Sequence, residues 1–124
     1  MIGKIIKALT PFYNSQTHRQ DFKVRPALVI AKADNTDYVV LPVSKVSRQE
    51  NIDPTYDVKV DPAYYPLLNL RVVSYVRTHK QTIVHGGEVG DVIGDLKGQY
   101  EDLYVDIMSK WESFSASIRE QALQ

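Results

Sequence analysis

Apolar and polar positions change their period once along this chain, and the change separates a strand-rich part from a helix. Before Asp95 the apolar residues come in short runs, or alternate with polar ones, between clusters of turn formers. Residues 2–9 predict a first strand. Residues 10–23 (TPFYNSQTHRQDFK) read as a polar loop with Pro11, Asn14 and Ser15 as turn formers, long enough to carry function. Residues 26–33 predict strand two, Asp34-Asn35-Thr36-Asp37 a tight turn, and residues 38–43 a third strand returning beside the second as a hairpin. A second polar loop, 44–55, holds Lys45, Arg48 and Pro54. Residues 56–60 alternate as a strand, and 61–66 form a capped helical turn with Pro62 at its first position. Residues 70–77 predict another strand, 81–84 a short extension past a bend, and Gly86-Gly87 a turn. Beyond Asp95, a candidate cap, Tyr100, Leu103, Tyr104, Ile107, Trp111, Phe114 and Ile118 recur at spacings of three and four, one stripe on a helix of about six turns. Trp111 in that stripe reads as core or interface. The expected fold is α+β: one domain over residues 1–124, a small, strongly bent antiparallel sheet or barrel with a long C-terminal helix.

The segment Lys23-Val24-Arg25-Pro26-Ala27-Leu28-Val29-Ile30 carries the first chemical hint. Proline has no N–H and pushes the residue before it into an extended conformation, so Pro26 suits the start or edge of a strand. The apolar run after it suits a strand covered on both faces. Arg25 then sits, stiffly mounted, between core and surface. Its guanidinium stays charged and presents a planar fork that fits phosphate or carboxylate. Pairing with a neighbouring acid is the alternative use of the same group.

Composition narrows the field. The chain has 124 residues, 44% of them hydrophobic, with no cysteine, which excludes disulfides, thiolate metal sites and a cysteine nucleophile. No stretch approaches the roughly 18 consecutive apolar residues of a membrane span, and Lys4 and Lys7 interrupt the opening run too soon for a signal peptide. No membrane partner and a cytoplasmic location are therefore expected. The net charge of zero is unevenly spread: residues 1–50 carry eight Lys/Arg against four Asp/Glu, residues 91–124 three against seven. A basic face for a polyanion with an acidic, solvated helix opposite would give this pattern; a helix with a merely wet face gives the second half of it.

His18, His79 and His85 lie far apart with no metal-ligand spacing, and no Gly-rich loop precedes a helix as in nucleotide-binding motifs. An enzyme built from these residues is expected to need neither metal nor cofactor. Cleavage of RNA by its own 2′-hydroxyl is such a reaction: the substrate brings the nucleophile, and the protein supplies acid–base groups and charge stabilisation. In the expected hairpin, Ser44 ends strand three near Arg25, so a hydroxyl and a guanidinium would share one phosphate; Ser44 equally suits capping a turn. Arg77 and His79 are two apart and would project from one face of an extended strand, where the imidazole suits proton transfer; a solvated strand end is the other reading. His18 and Arg19 in the first loop are further candidates for RNA contact, and Tyr13 and Phe22 would stack on bases or pack the loops down.

Taken in order, Arg25-Pro26-Ala27-Leu28-Val29-Ile30, then Leu41-Pro42-Val43-Ser44, then Ser74-Tyr75-Val76-Arg77-Thr78-His79-Lys80, and a closing Ile93-Gly94-Asp95-Leu96 before a terminal helix, the chain resembles the PemK/MazF toxins along nearly its whole length. The resemblance implies an SH3-like barrel forming a homodimer. It also implies a metal-independent endoribonuclease that cuts single-stranded mRNA to a 2′,3′-cyclic phosphate and a 5′-hydroxyl and is restrained by a cognate antitoxin. By position, Arg25 corresponds to the arginine that neutralises the scissile phosphate and Ser44 to the hydroxyl beside it. His79 is then the expected proton-transfer residue, and Lys23, Lys45, Arg48 and Arg77 the expected phosphate clamps. The chain departs from the pattern in two places. The first loop lacks glycine, with His18 near the place of a histidine used by some members, and Val72 and Ser74 stand where some members have an Arg-x-Asp pair. The rival expectation is a non-catalytic binding module of the same barrel, or a topoisomerase-poisoning relative.

Overall fold

Two long neighbouring strands organise the sheet. The computed structural model describes residues 1–124. Strands β1 (Lys4–Asn14) and β2 (Arg19–Lys32) pair antiparallel from Ile5↔Leu28 to Asn14↔Arg19. They are followed by β3 (Asp37–Ser44), β4 (Asp57–Val60), β5 (Ser74–Arg77), β6 (Thr82–His85), β7 (Val89–Asp95), the single helical turn α1 (Leu96–Gln99) and the helix α2 (Glu101–Ala122). The strand order is β4-β5-β3-β2-β1-β7, with β6 beside β3, and every pairing is antiparallel. The fold is thus α+β, a curled antiparallel sheet with a C-terminal helix. No helix is long and apolar enough to cross a membrane.

Successive residues of a strand face opposite sides, and both sides of the central strands are buried. Ile5, Leu28, Leu41, Val58 and Val76 on one side meet Leu96, Leu103 and Ile107 from the helical end. Ile6, Ala8, Ala27, Val29, Val40 and Val84 form a second, smaller core on the other side. Burying a side chain such as Leu28, at 0% exposure, contributes about 2–3 kcal/mol. The seating of α2 weakens along its length: Leu103, Tyr104 and Ile107 are buried, Phe114 is partly buried against Tyr56, and Ile118 is half exposed. Trp111 is partly buried against the core and its indole N–H donates to Gln81 Oε1 at 2.7 Å. Asp95 does act as a cap, but for the isolated turn, accepting the Gly98 N–H at 3.0 Å; the chain breaks at Tyr100 (φ −139°) before α2 begins.

Three expectations change. Residues 10–23 are not a loop: they extend β1 and β2 into a two-stranded ribbon whose turn is confined to residues 15–18. Asn14 tightens that turn by accepting the Gln16 and Thr17 N–H groups, and His18 takes the left-handed conformation (φ 56°) that completes it. The ladder's hydrogen bonds outweigh the polar, turn-like composition that suggested a loop. Second, Pro26 lies inside β2 and not at its start; it is paired with Lys7 of β1 but has no partner on its other side, the edge position that is the alternative expectation. The third concerns residues 70–77, of which only Ser74–Arg77 is strand; β5 and β6 run one after the other along β3.

Pro26 and Pro42 fix where β2 and β3 part. Their ladder ends at Ala27↔Pro42; N–H groups alternate between the two edges of a strand, so one of these two prolines lacks the donor that the shared edge needs next. Past that point β3 continues instead with β5, as Val43↔Val76 and Ser44↔Tyr75. Two more steps of the same register would have set Arg25 opposite Ser44. The strands diverge there, and a groove opens between them.

Ile107 is fully buried where α2 meets the sheet. Ile107→Ala is expected to cost about 2–5 kcal/mol, from forfeited transfer energy and the cavity left behind. Urea unfolding followed by circular dichroism measures it; a decrease below about 1 kcal/mol would mean that α2 is not seated as described.

Candidate functional site

The groove at the parting of β2 and β3 has a volume of about 480 Å³, and Arg25 and Ser44 both line it. Arg25 is exposed and pairs with no carboxylate; its nearest partner is the Phe12 ring, 6.0 Å from the guanidinium carbon, with Lys23 Nζ 5.5 Å from the same ring. The pairs Ala8↔Arg25 and Thr10↔Lys23 put both cations on one face of the sheet. Ser44 is half-buried, and no hydrogen bond to another protein group occupies its hydroxyl. Arg77, Lys80 and Glu88 also reach this groove. A guanidinium, a free hydroxyl and an ammonium around one depression can hold a phosphate. Glu88, the carboxylate among them, can accept a proton.

The other cations of the third sequence block behave differently. Asp57, buried with its side chain at 0% exposure, faces Arg77 across the β4–β5 ladder. Its two oxygens accept Arg77 Nε at 3.2 Å and Nη2 at 3.3 Å, and the Asp53 N–H at 2.8 Å. Arg77 Nη2 also donates to the Asn51 carbonyl at 3.0 Å. Arg77 thus lines the groove with its fork already engaged, and it differs in this from the free phosphate clamp expected of it.

His79 is not among the residues lining the groove with Arg25 and Ser44. It is half-buried on the far side of Arg77, its ring stacked 5.9 Å from Tyr56 and edge-on to Phe114 of α2 at 6.2 Å. Nδ1 lies 3.7 Å from Asp57 Oδ1 and makes no hydrogen bond. Burial pushes this imidazole below its ordinary pKa of 6.5, against the opposing pull of Asp57. The assignment of proton transfer to His79 beside Arg25 therefore has no geometric support. Arg77 and His79 do turn the same way, but toward Asp57. Thr78 between them is fully buried and donates to the Tyr56 carbonyl at 2.6 Å.

Lys45 is exposed and lines the cleft on the other side of Arg25, with Lys7 and Arg71. Lys23 lies on the ribbon, and Arg48, exposed, precedes the short 3-10 turn Gln49–Asn51 away from both depressions. His18 is at the ribbon tip; six residues at about 3.4 Å each put Arg19, beside it, roughly 20 Å from Arg25. Tyr13 and Phe22 are exposed on the ribbon and pack nothing down. Sequence reasoning missed Lys7, Arg71, Lys80 and Glu88. The last three stand in connecting segments, where no periodicity predicts direction.

No protein-family model matches this chain. No curated protein matches it either. Its chemistry is read from its own side chains.

Two outcomes follow from the Asp57 cluster. Asp57→Ala is expected to destabilise the protein by about 3 kcal/mol, since it leaves three donors, two of them on Arg77, beside a buried void; urea unfolding of both proteins checks it. For His79, the folded-state pKa is depressed, so the unfolded chain takes the proton more readily. Its stabilising contribution is present above the ordinary pKa of 6.5 and is lost as pH falls through that value toward the lower folded one. Unfolding midpoints at about pH 7.5 and about pH 5.5 should differ more for the wild type than for His79→Phe. Equal differences would show that His79 does not couple to folding.

Proposed function

We propose that this protein is a metal-independent endoribonuclease of single-stranded RNA, in keeping with its resemblance to the PemK/MazF toxins. The observation that carries the reading is the unpaired Arg25 guanidinium, sharing a groove with the unengaged Ser44 hydroxyl where the β2–β3 ladder stops. The curled antiparallel sheet with a terminal helix suits the SH3-like barrel of that family. Under this reading the protein is a cytoplasmic homodimer acting on mRNA, and a cognate antitoxin silences it by covering the groove.

The chemistry needs no bound group beyond the chain. The 2′-oxygen attacks the adjacent phosphorus, the P–O5′ bond breaks, and the products are a 2′,3′-cyclic phosphate and a 5′-hydroxyl. Arg25 bonds the phosphoryl oxygens, where negative charge builds in the phosphorane. Ser44 donates a hydrogen bond to one of them and fixes the phosphate's orientation. Glu88 takes the 2′-hydroxyl proton, since it lines the groove and His79, packed on Tyr56, does not. The departing 5′-oxygen is protonated by water, which has access to the open groove. Lys80 contributes charge without sequence choice.

Incubation of the purified protein with a long single-stranded RNA in EDTA tests this. Discrete fragments ending in cyclic phosphate are expected. Arg25→Ala should lower the rate about 10²–10³-fold, as removal of a charge-stabilising donor does, while leaving the unfolding midpoint unchanged. Glu88→Gln should lower it about 10²-fold. Intact RNA with undiminished RNA binding would establish the non-catalytic module instead, and RNA neither bound nor cut would end the reading.

A further inference from the structure

Arg25, Pro26 and Val43 form a ridge shared by two depressions. The one beyond the ridge from Ser44 and Glu88 has a volume of about 430 Å³, within the range of small-ligand sites of about 300–1,000 Å³. Its cations come from separate parts of the chain: Lys7 from β1, Lys45 just past the end of β3, and Arg71 from the segment before β5. All three are exposed, none is in an ion pair, and no carboxylate lines the cleft. Leu70 and Ile93 contribute apolar surface.

The cleft is held in shape from below. Asn69, in the left-handed conformation (φ 57°), donates through Nδ2 to the Ile93 carbonyl of β7 at 2.6 Å, tying the segment that carries Leu70 and Arg71 onto the sheet. Ser74 Oγ donates to the Val72 carbonyl at 2.9 Å and closes the other end of that segment. Lys7 is opposite Pro26 across the β1–β2 ladder, which fixes it beside the ridge. Three like charges gathered without an internal counter-ion repel one another, and a polyanion relieves the repulsion. Bare phosphate would use the cations and waste the apolar surface. A nucleotide uses both: its phosphate meets the cations and its base or sugar covers Leu70 and Ile93.

We propose that the Lys7–Lys45–Arg71 cleft is a nucleotide subsite, holding the stretch of single-stranded RNA that continues past Arg25 from the scissile linkage. This rests on the RNA reading of the groove and extends it. Arg25 then stands midway along the strand's path, between a lobe where the linkage reacts and a lobe that only grips. The grip acts on phosphate and on apolar surface, so it adds affinity and salt dependence while leaving base choice open.

Binding of a fluorescent 2′-O-methyl RNA, which lacks the nucleophile and is not cleaved, is followed by anisotropy over a salt range of about 50–300 mM. The triple variant Lys7→Ala/Lys45→Ala/Arg71→Ala is compared with Lys32→Ala/Lys59→Ala/Arg119→Ala, which removes three exposed cations elsewhere. The cleft variant should bind about tenfold more weakly, with a salt slope shallower by about 0.7 for each phosphate that it no longer neutralises. The control variant should change neither. Thermal melts establish that both fold. A cleft variant indistinguishable from the control overturns the subsite and leaves the groove reading standing. A wild type that neither binds nor cuts RNA fails the groove reading itself, and the subsite with it.

Discussion

Two prolines that cannot donate set the layout of this molecule. An antiparallel ladder continues as long as every second pair of residues can exchange hydrogen bonds across it, and Pro26 and Pro42 flank the point where β2 and β3 cease to do so. Because β3 finds β5 immediately afterwards, the backbone of Val43 and Ser44 stays paired although β2 has been left behind. The opening therefore bares the β2-facing edge of β3 while β5 holds its other edge, and the side chains on either side of the opening are held by regular strands. Arg25 and Ser44 owe their placement to this: each belongs to a long ladder, and the space between them exists because those ladders separate.

The distribution of charge follows the same geometry. Around the opening the cations Lys7, Arg25, Lys45, Arg71 and Lys80 are all without ion-pair partners. Arg77, one strand further on, is bound to a buried aspartate and gives up its freedom to rigidity. A buried carboxylate needs every lone pair used, and Asp57 uses Arg77 and the Asp53 N–H to that end. The neighbouring imidazole of His79 packs with Tyr56 and Phe114, which also meet each other, and so belongs to the contact between sheet and helix rather than to the groove.

Much of this arrangement was legible along the chain, and the rest was hidden for identifiable reasons. The hairpin of β2 and β3 could be read from two apolar runs around a tight turn, and with it the nearness of Ser44 to Arg25. The stripe on α2 was plain from its spacing, and Leu103, Tyr104 and Ile107 are indeed its buried part. The ribbon was not legible, because Asn14, Gln16 and Gln20 carry the composition of a loop while the backbone pairs them as strand or tight turn. His79 misled because its partners are remote: Asp57 stands 22 positions earlier, and Phe114 belongs to another element. Lys80 and Glu88 were passed over because alternation says nothing about side chains in bends.

The ribbon beyond Ala8 and Arg25 has a neighbour on neither edge, since β7 pairs no further than Ala8 and β3 no further than Ala27. One of its faces bears Leu9, Val24, Phe22 and Tyr13, each at least a third exposed. Bare strand edges beside an apolar face invite strand addition from another chain. The ribbon is therefore the part of the sheet shaped to take up a strand from another chain, with Pro11 and Lys23 on its own strands to limit how far such pairing runs.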